Sequence, residues 1–197
     1  MTDPLALALS QLTPVLEALG IRYAVVGSLA SSAHGVYRAT ADGDLLAVLA
    51  PGQAVRLAKA LGRSWYADAE MIERAVRDRR CFNLIHIPTA QKIDIFPGTN
   101  DFHATQIERV SLIPVFPGDS PMLFPVSSPE DVLLAKLQWF REGGGVSDRQ
   151  WNDIGGLLAT NPDLDFEYVN SWAARLRVED LLAKALTEVA SDSNDAV

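Results

Sequence analysis

The chain has 197 residues, 48% of them apolar, and a net charge of −8 from 25 acids against 17 basic residues. That is enough apolar material for a sizeable core in one domain with a helical extension, and the acidic balance argues against a long nucleic-acid footprint, which needs a basic surface. No 18-residue apolar run and no charged-then-apolar leader occurs, which argues against membrane spans and secretion and points to the cytoplasm.

In chain order, apolar periodicity predicts an N-terminal helix over residues 4–19 that stops at Gly20. Tyr23-Ala-Val-Val then reads as a strand, Gly27-Ser28 as a turn, and the residues to His34-Gly35 as a short helix. A second strand opens with Asp42-Gly-Asp44. Helices are expected near 52–62 and 68–79. Next come two β-rich runs, Phe82-Asn-Leu-Ile-His-Ile and Gln91-Lys-Ile-Asp94-Ile-Phe, joined by a short turn as a hairpin. An irregular Pro-rich stretch from 111 to 127 leads into helices that end near 190, and residues 191–197 read as a frayed acidic tail. Mixed elements first and helices last predict an α/β fold: a small mixed sheet flanked by helices over residues 1–127, and an α-helical C-terminal part over residues 128–190.

Alternation along a strand sends Asp42 and Asp44 to the same face, and two carboxylates held that close repel unless a cation lies between them. Mg²⁺ suits such a pair because it takes one or two carboxylates, several waters and the phosphates of a substrate. A bare Asp-x-Asp means little, since 16 aspartates produce about one such pair by chance. The pair Asp163 and Asp165 follows a proline before a helix and reads as capping or solvent-facing charge. Asp94 is different. It interrupts an apolar strand, where a carboxylate is costly unless paired, hydrogen-bonded or bound to metal, and it is the candidate third member of the site.

These features together resemble the nucleotidyltransferase superfamily with the DNA polymerase β-like fold, and within it the small bacterial group related to AbiEii-type abortive-infection toxins and minimal nucleotidyltransferases. The residues that carry the resemblance are Gly27-Ser28, His34-Gly35, the run Arg38-Ala-Thr40-Ala-Asp42-Gly-Asp44-Leu-Leu, and Lys92-Ile-Asp94-Ile-Phe. Ser128-Pro-Glu-Asp-Val-Leu-Leu-Ala-Lys136-Leu and Asp148-Arg-Gln-Trp-Asn-Asp153-Ile extend it over roughly residues 20 to 160. The resemblance implies a metal-dependent transfer of a nucleoside monophosphate from an NTP to an RNA or protein hydroxyl. It implies that Asp42, Asp44 and Asp94 hold one or two Mg²⁺ ions and carry the catalysis, with Asp94 also activating the attacking hydroxyl. It places Gly27, Ser28, Arg38, Thr40 and Lys136 around the nucleotide, and implies a cognate toxin or antitoxin chain as partner. Position 43 departs from the pattern: the family has a bulky aliphatic residue where this chain has Gly43, a mid-strand glycine that costs on the order of 1 kcal/mol.

Each remaining candidate has a plainer alternative. Lys136 falls about two turns into a helix that starts at Ser128-Pro, and reads either as a phosphate contact or as a solvated lysine. Arg38 reads as a phosphate ligand or a structural ion pair. Asp153, four residues after Arg149 on a helix opened by Ser147-x-x-Gln150, reads first as a local ion pair. His34, His86 and His103 show no metal-ligand spacing, Cys81 has no partner for a disulfide, and Trp139, Trp151 and Trp172 read as core anchors. Arg74, Arg77, Arg79 and Arg80 form the one dense basic cluster, interspersed with Glu73 and Asp78 as on a solvated helix face. Two other functions remain open on sequence alone. One is nucleotide binding without turnover. The other is a partner-binding module that docks through the apolar face Val178, Leu181, Leu182, Ala185 and Val189.

Overall fold

Asp3 starts the first helix, α1 (Pro4–Ala18), by accepting from the Leu5 and Ala6 amides, while Pro4 fills a position where no amide is needed. The protein is described by a computed structural model that covers residues 3–37, 40–116 and 122–195. Strand β1 (Arg22–Val25) runs into helix α2 (Gly27–Ala33), and strand β2 (Gly43–Val48) follows. Then come α3 (Gln53–Leu61), the short strand β3 (Trp65–Tyr66), α4 (Ala69–Arg77), and the antiparallel pair β4 (Phe82–His86) and β5 (Gln91–Pro97). Helix α5 (Asp101–Glu108) and strands β6 (Ser111–Pro114) and β7 (Leu123–Val126) complete this part. Four helices close the chain: α6 (Pro129–Glu142), α7 (Asp148–Thr160), α8 (Phe166–Leu176) and α9 (Glu179–Asp195).

The seven strands form one mixed sheet in the order β3-β4-β5-β2-β1-β7-β6. The decisive pairing is parallel, β2 beside β5, with Asp44 directly opposite Asp94. Alternation then sorts the two faces. Leu45, Ala47, Leu84, Ile93 and Ile95 are fully buried, and α1 lies on their side, since its Leu5 approaches Gly43 and its Gln11 reaches His86. On the opposite face Ala24, Val26 and Leu46 pack with Ile107 of α5, joined by Val48 and Phe96. Asp44 and Asp94 are the next residues on this second face, at the margin of its packed area.

The structure departs from the sequence expectations at several places. It adds α5, which Asn100 caps by accepting from the His103 amide; eight residues are too few for a helical period to stand out. The Pro-rich stretch holds β6 and β7. Two of its prolines sit where a missing N–H does little harm: Pro114 ends an edge strand, and Pro125 adjoins the residue pair, Val25 with Val126, that joins β7 to β1. α9 continues through Asp195, beyond the end expected near 190.

By contacts the chain forms two compact units, Met1–Leu29 with Ala39–Ser127, and Ala30–Arg38 with Ser128–Val197. In the helical unit, α6 packs on α7 and α8, and α9 on α7 and α8. Val178, Leu182 and Ala185 are buried there, and Leu181 and Val189 are partly buried. The apolar face considered for docking a partner is therefore occupied by the unit's own helices. Among the described residues, no helix is long and apolar enough to cross a membrane.

Candidate active site

The register of β2 and β5 assembles the site from residues far apart in sequence. Gly43 pairs with Ile93 and Asp44 with Asp94, so Asp42, one residue before β2, comes alongside Lys92. Lys92 and Asp94, two apart on β5, share a face. The Lys92 ammonium donates to Asp94 Oδ2 at 2.8 Å and lies 3.4 Å from Asp42 Oδ2, tying the two acids together. The hydrogen bond to Asp94, reinforced by the charges of Asp94 and Asp42, holds the ammonium above the usual lysine range despite partial burial. Asn83 of β4 pairs with Asp94 from the other side.

Asp44 is held differently. Gly27 begins α2 with φ +61°, and a Cβ built there would lie 2.2 Å from Asp44 Oδ2 and 2.8 Å from its Cγ. The carboxylate thus occupies the space that any side chain at position 27 would need, and the Val26 amide donates to the Asp44 carbonyl at 3.0 Å. Ser28 follows on α2 and is buried. Thr40 Oγ1 donates to the Asp42 carbonyl at 3.0 Å, which steadies the bend before β2. Arg38 lies outside the described residues. The glycine at 43 has a steric cause: a Cβ there would be 3.3 Å from Leu5 Cδ1 and 3.7 Å from Ile93 Cδ1, so α1 takes up the space that an aliphatic side chain would fill.

Cys81 lies two residues before Asn83. It is exposed as a residue, yet desolvation of its sulfur, followed by the negative charge of Asp94 and Asp44, pushes the thiol up to about 11. Its thiol therefore lies within electrostatic reach of both acids. The basic cluster on α4 and the turn after it is exposed, with Arg77 Nε 3.4 Å from Asp78 Oδ1.

Lys136 and Asp153 belong to the helical unit and meet there. Lys136 Nζ donates to Asp153 Oδ2 at 2.7 Å, with the residues 6% and 5% exposed. Lys136 is thus not a solvated lysine, and Asp153 has a partner on the neighbouring helix that the local reading with Arg149 missed. Asp165 caps α8 by accepting from the Tyr168 amide, and Asp163 is exposed, as their sequence setting suggested.

Among the described residues, no group of three or more acid, histidine or cysteine side chains is gathered tightly enough to hold a metal as the side chains stand. The donor chemistry nevertheless suits a hard divalent ion. Asp42 and Asp94 already converge on one cation, the Lys92 ammonium, and Asp44 adjoins Asp94 across the strand pair.

No family model matches the sequence, and no curated protein matches it either. Solved structures do. An antigenic nucleotidyltransferase-like protein from Paracoccidioides brasiliensis superposes with a TM-score of 0.52 at 16% identity, over 94% of this chain and 93% of that one. The fold is nucleotidyltransferase-like. ANT(2")-Ia, in complex with adenylyl-2"-tobramycin, has the same fold at a TM-score of 0.50 and 14% identity, over 87% of this chain and 95% of that one. Within this fold, Lys92 and the cradle that Gly27 makes for Asp44 are features to which the sequence alone assigns no role. The two-residue offset of Lys92 from Asp94 on a strand is the signal that the two side chains meet.

Proposed function

We propose that the protein is a metal-dependent nucleotidyltransferase that moves a nucleoside monophosphate from an NTP to an acceptor hydroxyl. The observation that carries this reading is the cross-strand pairing of Asp44 with Asp94, with Asp42 drawn to Asp94 through Lys92, beside the Gly27 turn. Asp42, Asp44 and Asp94 would hold Mg²⁺. When bound, the metal neutralises the charge that develops on the phosphoryl oxygens. Asp94 accepts the proton of the attacking hydroxyl as its oxygen bonds to the α-phosphorus; the bond to the bridging oxygen breaks, and pyrophosphate leaves.

The resemblance supports the Gly27 and Ser28 backbone as the contact for the triphosphate, Thr40 as the residue that steadies the approach to Asp42, and Arg38 as a cation for phosphate. For Lys136, the buried pair with Asp153 favours a role in fixing α6 to α7 over direct contact with the nucleotide. The resemblance to the AbiEii-type group supports an RNA or protein hydroxyl as acceptor and a toxin–antitoxin setting. The test is titration calorimetry of each NTP with and without Mg²⁺, followed by transfer from α-labelled NTP. Metal-dependent binding and labelling that Asp42→Ala and Asp94→Ala abolish are expected, whereas a protein that binds no NTP with Mg²⁺ present would refute the reading. A second reading, nucleotide binding without turnover, draws on the Lys92 bridge; it predicts binding with no labelled product.

A further inference from the structure

We propose that the Lys92 ammonium occupies the cation position between Asp42 and Asp94, so that a divalent ion reaches these carboxylates only by displacing it. The inference rests on the nucleotidyltransferase reading insofar as it needs a divalent ion at these acids. The geometry is that of a competitor. One nitrogen addresses an oxygen of each acid, at 2.8 Å and 3.4 Å, and Mg²⁺ would need its own oxygens at about 2.0–2.1 Å. Ammonium and metal cannot both use the same carboxylate oxygens at those distances.

Lys92 is also free to leave. Its side chain is 39% exposed and that of Asp42 is 49% exposed, so the four-carbon stem can swing its charge into water without opening the core. With the ammonium in place, the two acids stay together in the metal-free protein instead of repelling each other. With it displaced, both are delivered to the entering ion at once. Lys92 is on this view a positioning residue. It keeps the acids gathered and lowers their affinity for a bare divalent ion, so that occupancy depends on the phosphates arriving with it.

The test uses the full chain and Mn²⁺ as the probe, with free ion read by electron paramagnetic resonance. Lys92→Met should bind Mn²⁺ about threefold to tenfold more tightly than the natural protein, the gain expected from removing one or two partly exposed ion pairs. Lys92→Arg, which keeps the charge, should stay near the natural affinity, and Lys59→Met, with the same charge change on α3, should alter nothing. A second measurement needs no variant. Acylation of lysines followed by mass mapping should label Lys92 several-fold faster when Mn²⁺ is saturating, while Lys59 and Lys184 keep their rates.

Unchanged or weaker binding by Lys92→Met, or a Lys92 that stays protected while Mn²⁺ is bound, would overturn the proposal. If Mn²⁺ binds and Asp42→Asn or Asp94→Asn loses it, but Lys92 stays protected, displacement fails and the nucleotidyltransferase reading stands. If neither the natural protein nor Lys92→Met binds Mn²⁺, both fail together. Binding by Lys92→Met alone supports displacement in its strongest form.

Discussion

Replacing Gly27 by alanine tests whether the turn before α2 exists to make room for Asp44. The backbone there has φ +61°, and a residue with a side chain in this left-handed region costs about 1–2 kcal/mol. The new methyl would also lie 2.2 Å from Asp44 Oδ2, so the carboxylate must swing off its rotamer, at about 0.5–1.5 kcal/mol more. Gly27→Ala should therefore destabilise the protein by about 1.5–3.5 kcal/mol, read from urea unfolding followed by circular dichroism. The two contributions separate in an Asp44→Ala background. That change removes the oxygens and Cγ but leaves Cβ, 2.9 Å from the new methyl, so the dihedral cost and the shift needed at Cβ are common to both backgrounds and Gly27→Ala should cost about 0.5–1.5 kcal/mol less in the Asp44→Ala protein. An equal cost in both backgrounds would show that the cradle has no energetic reality and that only the dihedral matters.

Other parts of the molecule are open to similar tests. Lys136→Ala removes the buried ammonium that donates to Asp153 and should cost about 1.5–3 kcal/mol, whereas Lys136→Arg, which keeps the charge, should cost less; thermal melts that move little for Lys136→Ala would refute the pair's importance. His86 is fully buried between Gln11 and Thr89, and burial lowers its pKa, so the unfolded chain takes up a proton first as pH falls. Stability should be fully present above about pH 6.5 and decline below it, in urea midpoints measured from pH 8 to pH 5. His86→Gln should flatten that decline, and an unchanged slope would assign it elsewhere. At position 43, alanine needs Leu5 to give by only a few tenths of an ångström and should shift stability by less than about 1 kcal/mol, while isoleucine should cost about 1–3 kcal/mol by overpacking. Leu5→Ala should relieve the isoleucine variant, and a failure to do so would put the strain elsewhere.

What could be read from the sequence follows the range of the interaction. α1, α3, α4 and the β4–β5 hairpin announce themselves through local periodicity and breakers, and they form where expected. The parallel pairing of β2 with β5 leaves no local trace, and it is what sets Asp44 opposite Asp94. An aspartate within an apolar strand needs a partner, and for Asp94 the partner the structure supplies is Lys92. Gly43 reads as a loss in sequence because its neighbour Leu5 comes from a helix thirty-eight positions away, which no window of sequence includes. The local pattern of Asp153 with Arg149 hides a partner on another helix for the same reason.

The parallel alignment of β2 and β5 has a kinetic and energetic consequence. Asp44 and Asp94 are separated by fifty positions that include α3, β3, α4 and β4, and the chain must close that whole loop before the two carboxylates meet. Partial structures that hold only the hairpin or only β1 with β2 contain half of the acidic pair, so it is complete only once β2 and β5 have joined. A ligand bound across the pair clamps the two ends of this loop. Its binding energy then opposes unfolding of the sheet unit as a whole, in proportion to the logarithm of its concentration over its dissociation constant, so occupancy of the site doubles as a reporter that the central strands have come together.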